Sequence, residues 1–245
     1  MSIGKCNDQA EPFVPENAGN TCLTHGTAWI DEDPTSSRTI RYAFSSFPMR
    51  AQKNPYKKPD RFTVAAKKAG FPARSVFKLE EIDRRVRLFR QGMTVLDLGA
   101  APGSWAMYAA QKVGGKGHVF AVDLTPLNVA MPKNVSFRQG DAFEDVPEQG
   151  PFDVVLSDMA PNTTGVRFAD QSRSFDLFMR ALAVAEKVCK PGGSFVGKIF
   201  MGEDLPIARA KVRELFTKER LIRPEGTRAN SYELFVIGEG RRDET

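Results

Sequence analysis

A chain of 245 residues, 41% hydrophobic and with two tryptophans, is long enough for one large domain or two small ones around a real core. No stretch approaches the roughly 18 consecutive apolar residues of a membrane span, and the opening MSIGKCNDQAEPF lacks the basic-then-apolar order of a secretory signal. The three scattered cysteines, Cys6, Cys22 and Cys189, argue against a disulfide framework or a zinc site, and a reducing cytoplasm is the expected home. Only His25 and His118 are available for histidine chemistry, and no metal is expected. The net charge of +5 is local: residues 1–49 carry −3, residues 91–245 carry −1, and residues 50–90 carry thirteen Lys/Arg against four Asp/Glu, net +9. Such a block is either a solvated helix face or the footprint of a nucleic-acid contact.

Residues 1–49 are rich in Asn, Pro, Thr, Ser and Asp without helical or strand periodicity, and are expected to be a disordered extension. Met49, at its junction with the basic block, is a candidate translation start. DRFTVAAKKAG and ARSVFKLEEIDRRVRLF then read as helices, the second with Val76, Leu79, Ile82, Val86 and Phe89 near one face. MTVLDLG reads as a strand, GSWAMYAAQKVG as a helix closed by Gly114 and Gly115, and GHVFAVDL and VSFRQGDA as strands. FDVVLSD is a buried strand that breaks into MAPN, which leaves Asp158 at its carboxyl end. DQSRSFDLFMRALAVAEKVCKPGG reads as a long helix with Gly192 and Gly193 beyond its end. SFVGKIF is a strand, LPIARAKVRELF a helix with Pro206 in its first turn, and YELFVIG a last strand. Six strands alternating with helices imply a parallel sheet covered on both faces, whose carboxyl edge binds ligands.

VLDLGAAPGSW places Gly99, Pro102 and Gly103 between a strand and a helix, where glycine lets the backbone approach a ligand and the helix points free N–H groups at it. Asp123 closes the next strand 20 residues after Gly103, the offset at which an acid meets a ribose hydroxyl pair. The dinucleotide pattern G-x-G-x-x-G is broken by Ala101, so a nucleoside ligand without phosphates, such as S-adenosylmethionine, fits better than NAD. Asp141, in GDAF after the third strand, is placed to accept from an adenine amino group. The order of these signals favours a methyltransferase over a dehydrogenase.

Four ionisable residues interrupt apolar segments: Lys78 in SVFKLEEI, Asp158, Lys198 in SFVGKIF and Glu233 in SYELFVIG. Each alone is explained by a structural ion pair, because a lysine in an oily strand is costly to bury unpaired. Together they carry a resemblance. RSVFKLEEID, VLDLGAAPGSW, LSDMAPN, GGSFVGKIF and RPEGTRANSYELFVI resemble, in order, the motifs of the FtsJ/RrmJ family of ribosomal-RNA 2′-O-methyltransferases, over about residues 55–240.

The resemblance implies a Rossmann-like S-adenosylmethionine-dependent methyltransferase fold, mostly parallel and seven-stranded, with helices on both faces. Residues 50–245 are then one domain whose basic helices, about 50–90, grip RNA. The family's Lys-Asp-Lys-Glu tetrad falls on Lys78, Asp158, Lys198 and Glu233, and its cofactor residues on Gly103, Trp105, Asp123, Asp141 and Asp158. Lys198 is expected to accept the hydroxyl proton or, staying charged, to stabilise the oxyanion, with Asp158 orienting it. Arg228, Asn230 and Ser231 are expected to hold the nucleotide. Ser104 departs from the family's second glycine, with little effect expected. The implied partner is ribosomal RNA, as 23S RNA or the large subunit, with the protein a monomer. Rival expectations are another RNA such as transfer RNA or a cap, an RNA-binding relative that has lost catalysis, and a small-molecule methyltransferase, which would not need the +9 block.

Overall fold

The computed structural model describes residues 60–146, 150–225, 227 and 231–243. The expected extension 1–49, residues 50–59 of the basic stretch 50–90, and Arg228 and Asn230 lie outside the described residues. Five helices and seven strands follow in chain order among the described residues: α1 Arg61–Lys68, α2 Val76–Val86, β1 Thr94–Leu98, α3 Ser104–Val113, β2 His118–Asp123, β3 Val135–Gln139, β4 Phe152–Ser157, α4 Arg167–Val188, β5 Cys189–Phe200, α5 Leu205–Leu215, β6 Phe216–Ile222 and β7 Glu233–Arg241. They build a single sheet of order β3-β2-β1-β4-β5-β7-β6.

The first five strands are parallel, whereas β7 runs antiparallel to both β5 and β6. The mostly parallel, seven-stranded sheet that the resemblance implies is the one observed; reading strands and helices alone finds six of its strands. The missing strand is β6, FTKERLI, which begins one residue after α5 ends. Only its ends, Phe216 and Ile222, are buried, so it has neither the apolar run of an inner strand nor a clean alternation. Gly192 and Gly193 lie beyond the end of α4, as expected, but inside β5, which begins at Cys189 rather than at Ser194.

Alternation along the strands gives two cores, as a period of two requires. Val95, Leu156, Val196, Phe235 and Ile237 face the cluster under α2 and α3, with Leu79, Ile82 and Ala106. Leu96, Val155, Phe195, Ile199 and Val236 face the opposite cluster, with Phe178 and Leu182 of α4 and Val212 of α5. Full burial of side chains of this size stabilises by about 1.5–3 kcal/mol each. α1 is capped by Asp60, which accepts from the Thr63 N–H at 2.9 Å and pairs with Arg74. α2 stops at Val86, short of Phe89, because Arg87 takes a left-handed conformation with φ 53°. Phe89 still reaches the expected cluster, its ring edge-on to Tyr108 at 6.1 Å.

Candidate active site

The carboxyl edge of β1 carries the glycine loop. Gly99 has φ +75°, and a Cβ there would stand 2.2 Å from the Met159 Cγ, so this position favours glycine twice over. Gly103 has φ 106° and opens α3. The Ala101 N–H donates to Asp123 Oδ2 at 2.9 Å and the Thr125 N–H to Oδ1 at 2.7 Å, so the acid at the end of β2 holds the loop in place. Each of its oxygens keeps one lone pair free for a further donor. Asp141 Oδ1 accepts from the Phe143 N–H at 2.9 Å beyond the neighbouring β3.

Two expected residues act differently from expectation. The Trp105 side chain is 3% exposed, packs on Phe235 at 5.6 Å and donates its indole N–H to the Ser75 carbonyl at 2.9 Å. It braces α3 against α2. Ser104, expected to be neutral, is buried; its Oγ accepts from the Ala73 N–H at 2.8 Å and donates to the Ala73 carbonyl at 3.2 Å. A glycine could make neither bond.

The tetrad forms two ion pairs. Lys198 Nζ lies 2.9 Å from Asp158 Oδ1 and also donates to the Asp158 carbonyl, with the lysine side chain 7% exposed. Lys78 Nζ lies 2.5 Å from Glu233 Oε1, to which the Thr227 hydroxyl also donates at 3.3 Å. The register joins the pairs. Lys198 stands opposite Phe235, and Phe200 opposite Glu233. Residues two apart share a face, so Lys198 and Glu233 are diagonal neighbours on the α2 face, where Lys78 arrives from α2. Ser231, expected near the nucleotide, accepts from the Glu233 N–H through its hydroxyl at 3.4 Å.

Asp97 was not among the expected site residues. It lies in β1, 1% exposed, and neither carboxyl oxygen has a hydrogen-bond partner; the Ala106 N–H in the first turn of α3 is the favourable dipole beside it. Burial, then the charges of Asp158 and Asp123, push its pKa up to about 8. Three acids therefore converge where the glycine loop meets β4. A buried carboxyl without a donor, beside two other acids, suits a cationic ligand, and S-adenosylmethionine carries a sulfonium and an ammonium. The residues present fit that cofactor. The signal for Asp97 was in the sequence: an acid inside the apolar VLDLG is the same anomaly as a lysine inside SFVGKIF.

A mostly parallel seven-stranded sheet with a glycine loop at its carboxyl edge is the architecture of Rossmann-like methyltransferases. The chain belongs to the family of FtsJ-like methyltransferases, whose model matches residues 71–241. It is 60% identical over 194 residues to the ribosomal RNA large subunit methyltransferase E of Sorangium cellulosum, across 78% of this chain and 92% of that one. The protein of the same name from Nitratidesulfovibrio vulgaris is 50% identical over 190 residues, across 75% and 93%. Solved structures share the fold. One, described as a ribosomal RNA methyltransferase of Plasmodium falciparum, superposes with TM-score 0.63 at 20% identity, across 71% of this chain and all of that one. A SAM-dependent O-methyltransferase of Thermotoga maritima superposes at 0.50 and 17% identity, across 71% and 68%. The fold is that of Rossmann-like methyltransferases, and among the described residues no helix is long and apolar enough to cross a membrane.

Proposed function

We propose that the protein methylates a ribose 2′-hydroxyl of large-subunit ribosomal RNA, using S-adenosylmethionine. The observation that carries this reading is Lys198: a buried lysine, paired with Asp158, on the sheet face shared with Glu233 and beside the acid-lined glycine loop. The names of the relatives support the RNA substrate, and the +9 of residues 50–90 supports a phosphate contact.

The Gly99–Gly103 loop, the first turn of α3, Asp123, Asp141 and the Asp97–Asp158 side of the loop hold the cofactor, which supplies an electrophilic methyl group on a sulfonium. Lys198 takes the proton that the 2′-hydroxyl must lose as its oxygen gains the methyl group. Asp158 orients the lysine through the 2.9 Å pair, and its backbone carbonyl fixes the same amine. Lys78 and Glu233 position the ribose from the other side of Lys198. Removing water and aligning the oxygen supply the rest of the rate. The test is to map 2′-O-methyl groups by mass spectrometry in ribosomal RNA from cells with and without the gene. Loss of one large-subunit site is expected, restored by adding the purified protein and cofactor to the unmodified subunits. A full set of methyl groups in the deletion strain overturns the reading.

A further inference from the structure

Seven large apolar side chains are exposed among the described residues, and three of them, Val166, Phe168 and Met201, lie on two neighbouring segments. Val166 and Phe168 begin α4, and Met201 directly follows β5. The two segments meet at a groove of about 400 Å³ lined by Arg167, Gln171, Met201, Gly202 and Glu203. Gln171 Nε2 donates to the Met201 carbonyl, and the Arg167 guanidinium sits over the Tyr232 ring at 5.1 Å. The groove adjoins the tetrad. Met201 is three residues beyond Lys198, and its N–H donates to the carbonyl of Tyr232, the neighbour of Glu233, at 2.7 Å.

The start of α4 is held rigidly. Asp170, 1% exposed, accepts from the Thr164 N–H and hydroxyl at 2.8 and 2.9 Å and from the Gly165 N–H at 3.1 Å. Phe168 is therefore presented on a fixed turn while 73% exposed. A fixed, exposed aromatic beside a polar groove is what a stacked base requires, since every base offers a π-face and loses little in docking on a rigid platform. The groove's polar groups suit a base edge: Glu203 accepts from an exocyclic amino group and would repel a phosphate, the Gln171 side-chain oxygen is free to accept, and the Arg167 guanidinium, which would attract a phosphate, is engaged over the Tyr232 ring.

The geometry points to a second RNA subsite, in which Phe168 and Met201 stack a base of a nucleotide flanking the methylated ribose and the Arg167–Glu203 groove receives its edge. This rests on the reading of the site as an RNA methyltransferase. An RNA strand brought to Lys198 must cross the surface next to it, and this groove interrupts that surface with exposed apolar groups. Glu203 makes the subsite selective for bases with an amino group in reach.

The experiment uses the full chain with large subunits, and separately with free large-subunit RNA, both from cells lacking the gene. Phe168→Ala is expected to raise KM for RNA by roughly ten-fold, the loss of one base–aromatic stack. Cofactor Kd, melting temperature and kcat should hold, and Phe168→Tyr should restore KM. Benzoylphenylalanine at position 168 should cross-link, on illumination, to a nucleotide within two of the methylated one. Unchanged KM for Phe168→Ala with both substrates overturns the subsite, as do cross-links confined to a ribosomal protein. If the unaltered chain methylates RNA while these variants behave normally, only this inference fails. If the unaltered chain transfers no methyl group to RNA, the functional reading fails first and takes the subsite with it.

Discussion

On the β3-β2-β1 side of the sheet, Asp97, Asp123 and Asp141 meet backbone N–H groups or nothing, and among the described residues none is paired with a cation. Across the glycine loop, on the β4-β5-β7 side, each acid already has its lysine: Asp158 with Lys198, Glu233 with Lys78. The first region holds more acid than base, with the Asp97 carboxyl kept protonated by burial, and becomes electrostatically complete when a positive ligand arrives and Asp97 ionises beside it. The second is internally neutral and needs only a neutral group, such as a hydroxyl, placed among its charges. A cationic methyl donor on one side and a hydroxyl acceptor on the other follow from that difference.

The largest expected effect breaks the paired side. Lys198→Ala should lower the single-turnover rate by about 10²–10⁴, the usual worth of a general base, while cofactor affinity changes little. Lys198→Arg should fail as well if the lysine accepts the proton, because arginine stays protonated. Strong rescue by arginine would assign Lys198 an electrostatic role instead. A near-normal rate for Lys198→Ala would leave the pair structural.

A smaller effect is expected on the unpaired side. Asp123→Ala should weaken S-adenosylmethionine binding by roughly ten-fold or more, the price of a lost charge-assisted hydrogen bond and of a loop freed at Ala101. Titration calorimetry measures it directly. Unchanged affinity would mean that Asp123 serves the loop alone, and the comparison between the two sides would then rest on Asp97.

How far the sequence could be read followed what each residue shows locally. Lys198 and Glu233 were legible because a charge inside SFVGKIF or YELFVIG breaks an apolar pattern that burial should impose. The pairing of Lys78 with Glu233 was not, since 155 positions separate them and only the packing of α2 on the face of β7 brings them together. The parallel core from β1 to β5 was legible from alternating strands and helices. The antiparallel β7 and the edge strand β6 were not, because strand direction leaves no local mark and β6 is mostly exposed. The packing of Trp105 on Phe235 and its bond to the Ser75 carbonyl were not legible, because both partners are distant in sequence and the motif records only the position.

Asp97 tests the comparison through stability, with no expected change in the rate of methyl transfer. Burial and two neighbouring acids raise its folded pKa to about 8, from a reference value of 3.8. Between those two values the folded protein holds a proton that the unfolded chain has released. Stability without cofactor should therefore fall as pH rises from about 4 to about 8 and level off above, since the folded state binds more protons across that window. Asp97→Asn keeps the shape and removes the titration. It should flatten this part of the profile and melt above the wild type at pH 8.5, where the wild type carries a buried anion next to Asp158 and Asp123. Cofactor should reverse the order. A cation favours the ionised carboxyl, so wild-type binding near pH 7 should release a proton, seen as a difference in calorimetric heat between buffers of unequal ionisation enthalpy, and Asp97→Asn should release less. A wild-type profile as flat as that of Asp97→Asn would mean that Asp97 takes up no extra proton on folding, and would leave the cofactor side to Asp123 and Asp141.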